Sequence, residues 1–180
     1  MITELSVSPR PANKSANITF GALLFSAAIA TVLYLTAERF RGVIGLLTIA
    51  FITAAVLIYT RYIAVKYYYD VTFDTSSQAV FTVRQLIGRR VSTLCCIRLS
   101  SITNLEYENR EERKGHKIPY GTRKYNYTPT LIPEDTIRIY SKTRTETAEI
   151  VIEGSRELLI KLSDFAREAR EIAALTEDEE

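Results

Sequence analysis

Two apolar runs, Ile18–Ala37 (ITFGALLFSAAIATVLYLTA) and Gly42–Thr60 (GVIGLLTIAFITAAVLIYT), follow one another with only Glu38-Arg39-Phe40-Arg41 between them. Neither run contains Asp, Glu, Lys, Arg or His. Each has about the ~20 residues with which an α-helix crosses a bilayer. Arg10 and Lys14 precede the first run as they would in a signal peptide. That run is nevertheless longer than the ~7–15 residues of a signal core, and Leu35-Thr36-Ala37 is a poor cleavage site, so a retained helix is expected. The short connection makes the pair an antiparallel hairpin over 18–63, preceded by a flexible segment over 1–17.

Small residues recur at fourfold spacing, Ala22, Ser26 and Ala30 in the first run and Ala50 and Ala54 in the second. Small residues let helix backbones approach closely where lipid supplies no hydrophobic drive, so these five are expected to form the packing face. The absence of ionisable residues inside both runs argues against a transport pathway, although a small transport-related protein remains a minor alternative. Flanking charge sets orientation. Arg10, Lys14, Arg61 and Lys66 on one side outnumber Arg39 and Arg41 on the other, which predicts both termini in the cytoplasm at the cell membrane.

After Lys66 the apolar period changes from helical to two. Tyr67, Tyr69, Val71 and Phe73 alternate with polar neighbours, and Ala79, Phe81 and Val83 resume the pattern after Thr75-Ser76-Ser77. Val91–Ile97, Ile102–Tyr107, Arg123–Thr128, Thr136–Ser141 and Thr147–Ile152 complete about seven strands, with Pro129 and Pro133 confined to a connection. Gly154 then ends the last strand and Ser155 can cap a helix carrying Leu158, Leu162, Phe165, Ala169 and Ile172 at three- and fourfold spacing. Leu162 and Phe165 are expected to face the sheet. One domain over 67–175, closed by an acidic tail over 176–180, is large enough to bury its own core.

Charge is uneven along this domain. Between Arg84 and Lys124 ten Lys or Arg stand against four acids, a net of +6, whereas from Glu146 onward eleven acids stand against four bases, a net of −7. Arg84, Arg89, Arg90, Lys114, Lys117, Arg123 and Lys124 are therefore candidates for binding a partner or a lipid. Catalysis and metal chemistry find no foothold. His116 is the only histidine and sits in a charged stretch; Ser100 and Ser101 lack the glycines of a nucleophile elbow. Cys95 and Cys96 are adjacent, so in a strand they point to opposite faces and cannot readily bridge, and too few other ligands exist for a thiolate metal site. No cofactor is implied.

The entry strand Tyr69-Asp70-Val71-Thr72, the passage Ile97-Arg98-Leu99-Ser100-Ser101-Ile102 followed by Leu105-Glu106, and the terminal helix Ser155–Ala169 together resemble the bacterial membrane-anchored pleckstrin-homology-like proteins. The likeness implies an antiparallel barrel or sandwich of about seven strands with a C-terminal helix, behind a two-helix anchor. The sequence departs from that family after Tyr107, where a mixed-charge stretch and Tyr125-Asn126-Tyr127-Thr128-Pro129 replace a glycine-rich hairpin.

Two functions are then in view. In the first, a non-enzymatic tethered module serves as a protein-interaction scaffold or accessory subunit at the inner membrane face, with a membrane or cytoplasmic protein partner and possible self-association. In the second, the basic segment 84–124 reads anionic lipid headgroups. Nucleic acid is not an expected partner of a tethered chain with overall charge of only +2.

Overall fold

The computed structural model describes residues 3–9, 14–36, 38–74, 78–111, 121–142 and 147–177. The chain divides into two compact units, one a helical pair and the other a module that holds two sheets and the C-terminal helix.

The helical pair consists of α1 (Lys14–Thr36) and α2 (Arg41–Ile58), and α2 runs on through a π-helical turn, Tyr59–Ile63. That turn is closed by the Ala64 N–H donating to the Tyr59 carbonyl at 2.9 Å. Both helices are long and apolar enough to cross a membrane, and only 11% and 6% of their most apolar windows are buried. A core helix of a soluble protein would hide far more of itself; here most side chains outside the α1–α2 seam are exposed. The α1–α2 seam is formed by Ala16, Phe20, Leu23, Ala27 and Ala30 against Ile44, Thr48, Phe51, Ala55 and Ile58, all buried or half-buried. Their spacing alternates between four and three residues, the repeat that keeps two helices in register over several turns. This corrects the expected face. Ala30 is buried and Ser26 and Ala54 are half-buried, but Ala22 and Ala50 are exposed, because a strict fourfold row drifts away from the partner helix whereas a mean spacing of 3.5 does not. Near the interhelical bend, Thr31, Tyr34, Gly45, Thr48 and Ile49 line an open cleft of about 260 Å³. The Gly45 backbone lies so close to the Tyr34 ring that a Cβ there would come within 3.3 Å of it.

Sheet A of the module has the order β1-β2-β3-β4, with β1 Thr3–Val7, β2 Val65–Phe73, β3 Ala79–Ile87 and β4 Arg90–Arg98. Sheet B has the order β5-β7-β8-β6, with β5 Ile102–Asn109, β6 Thr122–Asn126, β7 Asp135–Lys142 and β8 Thr147–Glu153. Each of the seven strands read from the sequence is present. An eighth, β1, comes from the segment expected to be flexible: Leu5 pairs with Val71, Ser6 with Asp70 and Val7 with Tyr69. The strands form two four-stranded sheets rather than a closed barrel. Nor are they all antiparallel, since β6 runs parallel to β8. The reason is local. Asn126 Oδ1 accepts from the Thr128 N–H at 3.0 Å and the Thr128 hydroxyl at 2.8 Å, which turns the chain out of β6, and the connection with Pro129 and Pro133 then carries it past β8 to β7.

The core of the module lies where β2 meets sheet B. Tyr67, Tyr69 and Val71 of β2, Phe81 and Val83 of β3, and Ile137, Ile139, Ile150 and Ile152 of sheet B are almost wholly buried. Tyr69 ties the sheets together, its hydroxyl donating to the Tyr127 carbonyl at 2.9 Å and accepting from the Glu153 N–H at 3.3 Å. A 3-10 turn, Leu99–Ser101, passes from one sheet to the other and buries Leu99.

Helix α3 (Arg156–Glu177) closes the module. Ser155 Oγ accepts from the Leu158 N–H at 3.4 Å, satisfying one donor of the helix start, as the sequence suggested. Gly154 has no room for a side chain, since a Cβ there would meet Leu158 at 2.7 Å and Ile137 at 2.9 Å. The helix packs on β5 and the 3-10 turn through Leu158, Leu162 and Ala166, all buried. Phe165 is only half-buried and Ile172 is exposed, so the stripe is narrower than the sequence suggested. We predict that Leu162→Ala destabilises the module by about 2–5 kcal/mol, because it opens a cavity at a fully enclosed site, and that Phe165→Ala costs clearly less. Denaturant unfolding of both variants checks the order; equal losses would mean that Phe165 is the enclosed residue.

Candidate functional site

β2 places Asp70 on the face of sheet A opposite to Tyr69, where a carboxylate would ordinarily meet water. It is instead wholly buried. Ser6 of β1 donates its hydroxyl to Asp70 Oδ1 and the Arg84 guanidinium of β3 donates to Oδ2, both at 2.5 Å. This hydrogen bond, set against some desolvation, holds the Arg84 pKa above its ordinary value. Arg84 is thus a neutralising partner within the sheet rather than a free cation waiting for a ligand.

A second ionic cluster crosses sheet B. Arg138 of β7 is 4% exposed and donates to Glu108 of β5 through Nε at 3.0 Å and Nη2 at 2.5 Å, and to Glu149 of β8 through Nη1. Lys124 of β6 lies 3.6 Å from the same Glu149 oxygen. Burial alone would lower the Arg138 pKa; its bonds to Glu108 and Glu149 outweigh that and raise it. Four strands are stitched together by alternating charges, and the cluster is not an open site. Beside it, burial and the nearby Glu106 and Glu149 carboxylates push the Tyr140 hydroxyl up to about 12. Tyr140 donates to Glu106 Oε2 at 3.3 Å.

Of the described edge strands β1, β4, β5 and β6, the longest is β4, with nine residues. Among the described residues β4 has a neighbour, β3, on one side only. Residues 90–94, 96 and 98 are exposed, including Val91 and Leu94. The pairing with β3 shifts register between Val83 and Arg84, which leaves Leu94 as the extra residue of a bulge. There the Tyr127 hydroxyl donates to the Leu94 carbonyl at 3.5 Å. Cys95 points inward and burial, with a smaller effect of Cys96, pushes its thiol up to about 11. Cys96 is exposed, and the two are free thiols. At the tip Gly88 adopts φ +59°, which suits glycine, and the two-residue turn of Gly88 and Arg89 leaves Arg89 and Arg90 exposed between Ile87 and Val91.

The seven basic candidates therefore separate. Arg84 and Lys124 serve internal ion pairs, Arg89 and Arg90 share the β3–β4 tip, Arg123 lies exposed on β6, and Lys114 and Lys117, with His116, lie outside the described residues. The sequence reading missed Asp70, Arg138 and Glu149; their alternation with apolar neighbours looked like a solvent face. The only sign in the sequence is an acidic residue set between Tyr69 and Val71 in an otherwise apolar-rich strand. Among the described residues no group of three or more His, Cys, Asp or Glu gathers to hold a metal. Comparison with protein-family models, curated proteins and solved structures gives no match for this chain.

Two outcomes follow from this geometry. Arg138→Met should cost about 3–5 kcal/mol, because it leaves the Glu108 and Glu149 carboxylates buried without their cation, whereas Arg138→Met combined with Glu108→Leu and Glu149→Leu should recover much of the loss. Thermal unfolding of the two variants reads this directly; an unaffected single variant would show that the cluster is solvated. Thiol alkylation near neutral pH should modify Cys96 in a Cys95→Ala variant quickly and Cys95 in a Cys96→Ala variant slowly. The Cys95 rate should climb as pH approaches about 11, where its thiolate forms.

Proposed function

We propose that the chain is a membrane-anchored, non-enzymatic interaction module that accepts an extended segment of a partner protein along the edge of β4. The exposed edge of β4 carries this reading. Edge strands are normally kept short or guarded by inward charges, proline or a covering element, because their free N–H and C=O groups invite another strand. β4 is nine residues long, and its bulge divides that edge without covering it. Arg90 and Arg98 stand at its two ends, so an extended segment with apolar side chains and acidic flanks suits it best.

The anchor belongs to the same proposal. α1 and α2 have the length and apolarity to span, and β1 before them and β2 after them share one sheet, which supports an arrangement with both ends of the hairpin on one side. The excess of Arg10, Lys14, Arg61 and Lys66 over Arg39 and Arg41 favours the cytoplasmic side. Two sheets followed by a closing helix are also in keeping with the pleckstrin-homology-like likeness, and it is that likeness alone which suggests a bacterial inner membrane, where such a module would act as scaffold or accessory subunit.

A photo-crosslinking amino acid placed at Ser92 or Thr93 in the full-length protein should trap a defined partner in intact cells, identified by mass spectrometry. Ile160 on the exposed face of α3 should not trap it. Proline at Ser92 or at Thr93 should reduce the yield at least several-fold at whichever position presents its N–H to the partner, with folding unchanged. Equal adducts at Ile160, or a yield indifferent to both prolines, would remove the edge-strand reading.

A further inference from the structure

Sheet A has two ends, and its strand directions decide which of them carries the β3–β4 tip. β2 begins at Val65, separated by Ala64 alone from the helical turn that ends at Ile63. β2 and β3 are each nine residues long and neighbours in the sheet, and just beyond their facing ends the Asp74 N–H donates to the Gln78 carbonyl at 2.9 Å. The chain therefore leaves from Val65, reverses, and returns over the same length, bringing Ile87 level with the start of β2. The β3–β4 turn and the start of β2, which follows the last helical turn in the chain, thus lie at the same end of sheet A. Tyr59, Arg61 and Tyr62 in that helical turn are the residue types that mark a water–lipid boundary, and Arg61 lies 5.8 Å over the Tyr62 ring.

The tip has the composition of an interfacial contact. Ile87 is 49% exposed and Val91 57% exposed, and they flank Arg89 and Arg90, which make no ion pair among the described residues. Two bare aliphatic side chains at the end of a hairpin cost solvation unless something covers them, and two arginines beside them repel most cationic or purely apolar partners. We propose that this tip is a foot seated on an anionic lipid surface, with Ile87 and Val91 entering the headgroup boundary and Arg89 and Arg90 binding lipid phosphates. The contact gives the module a second point of attachment beside its covalent one. It rests on the membrane-spanning reading of the helices, and of the charges assigned to the β4 edge it shares only Arg90.

The chain contains no tryptophan, so single substitutions report their own surroundings. Full-length Ile87→Trp, Val91→Trp, Gln78→Trp and Phe25→Trp would be reconstituted in phosphatidylcholine vesicles with and without phosphatidylglycerol, using lipids brominated near the headgroup end of the acyl chain or deep within it. Phe25, exposed on α1, tests the spanning helix by itself; quenching there by deep bromines is expected in every vesicle, and its absence would overturn the membrane reading together with the foot. Given that quenching, tryptophan at 87 and 91 should be quenched by shallow bromines several-fold more than at 78, which lies at the far end of β3. The effect should require phosphatidylglycerol and fall with added salt or with Arg89→Glu and Arg90→Glu, as screened charge contacts do. Quenching at 87 and 91 no stronger than at 78, or equally strong in neutral vesicles and indifferent to both charge reversals, overturns the proposal. A blue-shifted but unquenched tryptophan at 87 would also overturn it, because the tip would then be covered by protein.

Discussion

Pairing of β1 with β2 is the constraint around which the rest of the chain is arranged. β2 is the most heavily buried strand of sheet A, with Tyr67, Tyr69 and Val71 on one face and Asp70 and Thr72 on the other. A strand buried on both faces also needs both its edges paired, since a backbone N–H or C=O left without a partner away from water costs about as much as a lost hydrogen bond. β3 supplies one edge. The other is supplied from the far side of the helical pair, by a five-residue strand whose Ser6 hydroxyl also completes the coordination of Asp70. Joining residues more than sixty positions apart is entropically costly in a loose chain. The cost is moderated here because most of the intervening residues form two packed antiparallel helices that bring their own ends together.

Sheet B solves a related problem by different means. Its hidden charges are neutralised within the sheet, Arg138 by Glu108 and Glu149, with Lys124 adding a weaker contact from the edge strand. Such a cluster is weak evidence of net stability, but once in place it is strongly intolerant of losing a single member. It also fixes which strands are neighbours. A slip of β8 by one residue would carry Glu149 to the isoleucine face and Ile150 onto Arg138. The parallel β6, attached through Asn126 and the proline-bearing connection, depends on that register, and Tyr69 reads it out by bonding both Tyr127 and Glu153.

The helical runs and seven of the eight strands were legible because they have long periods of one kind, roughly twenty apolar residues or a clean alternation of two. β1 was not, since Thr3–Val7 offers two apolar residues in alternation and is a strand only because β2 has an edge to fill. The packing face of the helices was half legible: small residues were the right signal, but the fourfold row through Ala22 and Ala50 leaves the partner, and the buried row runs through Ala16, Ala27, Ala30 and Ala55. The basic segment misled in another way. Charge counting treats Arg84 and Arg89 alike, whereas β2 takes Arg84 for Asp70 and the two-residue turn leaves Arg89 in the open. Which cations are free is decided by register, and register is not visible in composition.

The account therefore stands on the sheet contact that spans the helical pair. In a background with Cys95 and Cys96 replaced by serine, cysteines at Leu5 and Val71 face one another across the β1–β2 ladder. Mild oxidation of the full-length protein in native membranes should join them rapidly and nearly completely, while a cysteine at Leu5 paired with one at Ile160 should stay reduced. Failure of the Leu5–Val71 pair to form in a protein that remains folded and membrane-bound would contradict the account, because the segment before α1 would then not belong to the sheet.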